Sequence, residues 1–250
     1  MAKTVSLKLK SKDNLVSFLK RFLPIEKFIL VEITKPYLLC KCSTADRSTL
    51  KYSKMSMDNV FEGNVQEEIR LPISDASKVS NILKKFGPAD EIFLDIQVEE
   101  GDGYLVGVQV TFRTDKLKIK MLAGDILLSR FISPDVLKNV VKNGSESKLI
   151  ELPFKSEYFS EISSLLEIDI EKDKLSLQVD KKGRFTASGS NFEAELDTVT
   201  APSEDVEFRF KATQFTQIDA EISSFEIGPN FVVIRSKETD TITVMSNIED

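Results

Sequence analysis

The sequence predicts an α+β fold in two similar halves, each an antiparallel sheet carrying two short helices. Three observations predict it. A pattern of strand, polar cap, short helix, turn and strand recurs four times. The strands between these segments alternate apolar and polar residues at period two. Residues 123–148 break the pattern once, in the middle of the chain.

The four segments run over 5–33, 69–98, 150–179 and 206–236. Each opens on an alternating strand and then meets a residue that suits a helix N-cap: Ser11 or Asp13, Ser74 or Asp75, Ser156, and Thr213. Apolar residues follow at helical spacing. Leu15, Phe18, Leu19 and Phe22 form one stripe, and Val79, Ile82, Leu83 and Phe86 the next. Tyr158, Phe159, Ile162, Leu165 and Leu166 form the third, and Phe215, Ile218 and Ile222 the fourth. Hairpins are predicted for 103–113 with 116–121, for 174–179 with 184–190 around Asp180-Lys-Lys-Gly183, and for 231–236 with 241–246. The chain therefore divides into 1–122, a connector over 123–148 with a short helix after Ser133-Pro134, and 149–250.

Composition narrows the function. There are 250 residues, 34 Lys and Arg against 40 Asp and Glu, and no histidine. Without histidine the commonest general base, metal ligand and partner of a Ser or Cys nucleophile is missing. No phosphate-binding G-x-x-x-x-G-K-[ST] occurs, and Gly101, Gly103 and Gly107 are one residue too widely spaced for a dinucleotide loop. The Asp169-x-Glu171-x-Asp173 run fails as a calcium loop, because Lys174 stands at the glycine position. No cofactor or metal is expected. Cys40 and Cys42 read as two buried or half-buried thiols of one strand face in a reducing compartment. The first ten residues hold no apolar stretch of the kind a secretory leader needs. No run approaches the roughly 18–20 apolar residues of a membrane span, so a cytoplasmic protein with no membrane partner is expected.

Residues 181–190, KKGRFTASGS, follow an amphipathic helix and a strand, and resemble the PCNA strand of form K-D-G-V-x-F-S-A-S-G. Val206-Glu-Phe-Arg-Phe210 followed by Phe215 resembles the strand entering that family's last helix. The ending Ile242-Thr-Val-Met-Ser-Asn-Ile-Glu-Asp250 resembles its last strand and acidic tail. By pattern the resemblance to DNA sliding clamps, the PCNA group and the clamps of tailed phages, spans nearly the whole chain. By residue it is strong in the second half. The patchy match to PCNA favours a phage source.

The resemblance implies two clamp domains per chain, with sheets outside and two short helices per domain facing a central hole, in a homotrimeric ring round double-stranded DNA. It implies a non-enzymatic processivity factor for a DNA polymerase and other clients, opened by a separate ATP-dependent clamp loader. A monomeric or dimeric accessory factor gripping DNA from one side is an alternative, as is a carboxylate-based hydrolase. The net charge of −6 disfavours the first, and acids found only in turns disfavour the second.

If the helices line a hole, their polar faces meet phosphates. Lys10, Lys12, Lys20 and Arg21 stand against Asp13 in the first helical segment, and Lys78, Lys84 and Lys85 against Asp75 in the second. Lys155 and Lys211 are outnumbered by acids in the third and fourth. The basic bias thus belongs to the first half; taken singly, each of these lysines also fits an ordinary solvated helix face. Subunit edges are assigned by position to 116–121 and 184–190, with Leu117, Ile119, Met121, Phe185 and Ala187 at the contact. A client pocket is implied beside the connector and tail, using Ile126, Leu127, Leu128, Phe131, Met245 and Ile248. The connector residues fit equally a segment pinned to the core.

Overall fold

A computed structural model describes residues 3–129, 132–153, 155–169, 171, 174–215, 217–218, 224–236 and 238–247. Packing divides the chain into two units. The first holds residues up to Ser43 and Tyr52–Ile132; the second holds Thr44–Lys51 and the chain from Ser133.

The first unit begins with β1 (Lys3–Leu9) and α1 (Lys12–Lys20). Ser11 is the N-cap, its hydroxyl accepting from the Asn14 amide at 3.2 Å. Then come β2 (Ile29–Ile33), β3 (Tyr37–Ser43), β4 (Thr49–Ser56), β5 (Phe61–Glu62) and β6 (Ile69–Ile73). Asp75, not Ser74, caps α2 (Ala76–Leu83) by accepting from the Ser77 amide at 2.9 Å. The unit closes with β7 (Phe93–Glu100), β8 (Leu105–Arg113) and β9 (Lys118–Leu122).

In the sheet β4, β3, β2, β6, β8, β7, β1 and β5 lie side by side in that order, and β9 joins β8 at 109–113. Pairing is antiparallel save where β6 runs parallel to β8 at Ile69 and Arg70. One face is closed by α1 and α2 over Phe18, Phe22, Ile69, Ile96 and Phe112. Lys12 in the first turn of α1 reaches the Phe86 carbonyl just beyond α2, so the helices run side by side in opposite directions. Cys40 and Cys42 face this core as free thiols, as their spacing predicts, and burial pushes the Cys40 thiol up.

The second unit starts with a helix longer than the sequence suggests, α3 (Pro134–Glu146), capped by Ser133 with Pro134 in its first turn. It continues through β10 (Ile150–Leu152), α4 (Ser156–Ile168), β11 (Leu175–Val179), β12 (Arg184–Ser188), β13 (Glu193–Thr198) and β14 (Val206–Phe210). Then follow α5 (Ala212–Phe215), β15 (Ser224–Ile227), β16 (Phe231–Ser236) and β17 (Thr241–Ser246). Ser156 begins α4 but does not cap it; Lys155 holds that position without a side-chain bond. Thr213 lies inside α5, whose described part is a single turn. Ile222 of the expected fourth stripe lies outside the described residues.

β13, β12, β11 and β14 form one sheet; β10, β15, β16 and β17 form another run of neighbours, with the start of β4 beside β17. The Ser246 amide donates to the Ser48 carbonyl at 2.9 Å there. The core is built from phenylalanines: Phe159 stacks on Phe215 at 4.9 Å, and Tyr158 meets Phe185 edge-on at 5.6 Å. Phe225, Val232 and Ile234 face this core, whereas Glu226, Val233 and Arg235 point to the opposite side of their strands. There α3 docks. Gly144 lies so close that a Cβ would come within 2.6 Å of the Val233 side chain. Arg235 bridges Glu226 at 2.9 Å and Ser145 at 2.8 Å. The connector helix expected after Ser133-Pro134 thus covers part of the other face of this sheet.

Candidate nucleic-acid interface

The helix pair of the first unit buries Leu15, Phe18 and Leu19 from α1 and Ala76, Val79 and Leu83 from α2. At 100° per residue this turns Lys20 and Lys78 outward; both are exposed, as is Lys85 two residues past the end of α2. Lys84 is exposed on the flank. Among the described residues none of these four lysines has a carboxylate within ion-pair distance. Arg21 is turned the other way: its Nη1 donates to the Ser53 hydroxyl at 2.9 Å and its guanidinium lies 5.9 Å from the centre of the Phe18 ring. Lys10 and Lys12 donate to the carbonyls of Asp58 (2.9 Å) and Phe86 (3.1 Å). Four of the seven basic residues expected here thus form a free basic face, and three tie down loops or the sheet.

The second unit is the electrostatic opposite. α4 buries Tyr158, Ile162 and Leu166 and turns out Glu157, Ser160, Glu161, Ser164 and Glu167. Lys155 pairs with Asp197 at 2.7 Å, and Lys211 lies 3.9 Å from Asp46. Asp197 also accepts from the Tyr158 hydroxyl and the Thr198 amide. The Lys155 ammonium, then these two donors, pull its carboxyl down to about 2. In return the Asp197 carboxylate pushes the Lys155 ammonium up.

Each unit also leaves a sheet edge open. Among the described residues β9 pairs with β8 alone. Lys118 and Lys120 point outward from it, and Ile119 and Met121 rest half-buried on the core, with Leu117 just ahead at the hairpin. In the second unit β13 is one edge of its four-stranded sheet, with β14 at the other. The expected edge strand, β12, lies between β13 and β11, so Phe185 and Ala187 are buried core residues and not edge residues. Glu193 and Glu195 point outward from β13, and Ala194 and Leu196 are half-buried. A bulge opposite Phe185 and Thr186 reverses the alternation after Glu195 and sends Asp197 inward.

In the connector, Leu127 is 87% and Leu128 70% exposed, and neighbouring Leu122 is 73% exposed. Ile126 is half-buried. Met245 is fully buried in the second core, because the alternation of β17 points it inward; it lines no surface. Phe131 and Ile248 lie outside the described residues. The sequence reading missed Leu122, Glu193 and Glu195. The alternating acids of Glu193-Ala-Glu-Leu were the available signal for the last two. Among the described residues no three acids or thiols gather as a metal site, and no helix is long and apolar enough to cross a membrane.

No family model and no curated protein sequence matches the chain. Solved structures share its fold. A. fulgidus PCNA, solved with the C-terminal region of FEN-1, is 14% identical over the full length of both chains, with a TM-score of 0.64. PCNA from Entamoeba histolytica is 13% identical, again over both full lengths, at 0.70. The Helicobacter pylori beta clamp bound to a DNA ligase peptide is 14% identical at 0.63; the match covers 99% of this chain and 67% of that one. The chain has the DNA sliding-clamp fold.

Proposed function

We propose that the chain is a DNA polymerase processivity clamp, a non-enzymatic homotrimer that closes round double-stranded DNA. The observation that carries this reading is that two open edges, β9 and β13, carry opposite charge. An unpaired edge attracts another strand. Two like edges would set lysine against lysine or glutamate against glutamate. Laying β9 of one copy on β13 of the next sets Lys118 and Lys120 against Glu193 and Glu195, and Leu117, Ile119 and Met121 beside Ala194 and Leu196. The two surfaces of this contact differ, so it repeats head to tail until a ring closes. The clamp fold, with two units per chain, supports three copies.

The free lysines supply weak, sequence-independent attraction to phosphates, while encirclement supplies retention. The exposed Leu122 at the end of β9 and the exposed connector residues Leu127 and Leu128, with half-buried Ile126, suit short peptides with apolar anchors from a DNA polymerase and other clients. Structural neighbours bound to FEN-1 and DNA ligase segments support such capture. Because the chain lacks a phosphate loop, opening falls to a separate ATP-dependent loader. A replication fork in cytoplasm is the working location, that of a host cell if the source is a phage.

Light scattering at micromolar concentration tests the ring, with three chain masses expected. Protein threaded over the free end of a linear duplex, then trapped by blocking both ends, is expected to stay bound and to leave when a block is removed. A monomer at high micromolar concentration, or equal retention with open ends, overturns the proposal and favours a one-sided grip.

A further inference from the structure

We propose that DNA is held by the helix pair of the first unit alone, and that α4 of the second unit repels it, so that basic and acidic sectors alternate around the duplex. This rests on the ring reading and refines it. In the first unit Lys20, Lys78 and Lys85 are exposed with no carboxylate within ion-pair distance among the described residues. In the second unit the two helix-associated lysines each lie beside a carboxylate, Lys155 at 2.7 Å and Lys211 at 3.9 Å. Glu161 and Glu167 stand outward from α4 with no cation within that distance among the described residues, separated by Ser164.

The helix itself gives no reason for these acids. Glu157 lies in the first turn, where the dipole favours a carboxylate, but Glu161 lies mid-helix and Glu167 in the last turn, where the dipole opposes one. Both are exposed, so burial does not account for them either. A phosphate facing this stripe within the roughly 8–10 Å screening length is pushed away. Fewer counterions are then displaced than in a wall basic throughout, so grip is lighter and less salt-sensitive, which suits a ring that slides.

The full-length protein is tested by fluorescence anisotropy on a blunt duplex from about 50 to 200 mM salt, a range over which each phosphate contact contributes about 0.9 to the slope of log K against log salt. Variant K20Q/K78Q/K85Q is expected to weaken binding at low salt at least tenfold and to flatten the slope. Variant E161K/E167K, which spares Glu157, is expected to bind at least tenfold tighter with a steeper slope. Light scattering and thermal melting check that both variants assemble and fold as the parent does. If E161K/E167K leaves affinity and slope unchanged while the lysine variant loses both, α4 does not face DNA and this inference is wrong, with the clamp reading intact. It is equally wrong if E161K/E167K binds DNA as before but loses a basic protein partner, which would make α4 a protein-docking face. If neither variant alters the salt dependence, the DNA reading itself fails.

Discussion

Asp197 shows how one residue is redirected by its backbone. The bulge between β12 and β13 takes it out of the outward row of Glu193 and Glu195 and hands it to Lys155 and Tyr158 at the start of α4. Its carboxyl titrates near 2, against an ordinary 3.8. A depressed carboxyl stabilises the fold fully above 3.8 and loses that contribution as pH falls toward 2. Asp197→Asn is therefore expected to lower the melting temperature at neutral pH, with the gap from the parent closing between pH 4 and 2; a gap constant across that window would show that Asp197 is not the group responsible. Gly183 in the preceding turn is fixed for a different reason. Its φ is +83°, and a Cβ would collide with the Val199 carbonyl oxygen, so this position of the turn joining β11 to β12 admits no side chain.

Elements were legible in proportion to how far their own residues dictate them. The stripes of α1 and α2 and the strands of β8, β11, β16 and β17 follow from local periodicity, and once the helices are placed, so do the outward lysines. Arg21 was not legible as a tether, because Ser53 lies 32 residues away in sequence. α3 was underestimated although Leu137, Val140, Val141 and Gly144 stand at helical spacing; only Leu137 and Gly144 of these are buried. The expected edge strand is interior: the recognisable KKGRFTASGS stretch is the inner β12, and β13 lies beyond it at one edge of the sheet. Caps differ in the same way. Asp75 holds the start of α2 through the Ser77 amide, while α4 begins without a side-chain cap. Asp75→Ala is expected to cost about 1 kcal/mol, read as a shift of the denaturation midpoint at unchanged slope. Ser74→Ala is expected to change little by comparison.

At the scale of the assembled molecule, charge distribution matters more than total charge. A chain of net −6 gathers lysines on β9 and on one helix pair, and carboxylates on β13 and α4. If β9 and β13 recognise each other through these rows, K118E/K120E alone is expected to reduce the trimer to monomers in light scattering, as is E193K/E195K alone. The chain carrying all four reversals is expected to form trimers again, because each junction regains opposite charges. Trimers unaffected by the single-edge reversals would place the contact elsewhere. If the ring closes through these edges, the two ends of a protomer, being unlike, also fail independently. A chain with a sound β9 and a reversed β13 still docks onto a normal neighbour but offers nothing to the next arrival. Such a molecule is a chain stopper. Co-expressed with the parent, it would poison assembly out of proportion to its abundance, because every closed circle needs each of its members to be intact at both ends.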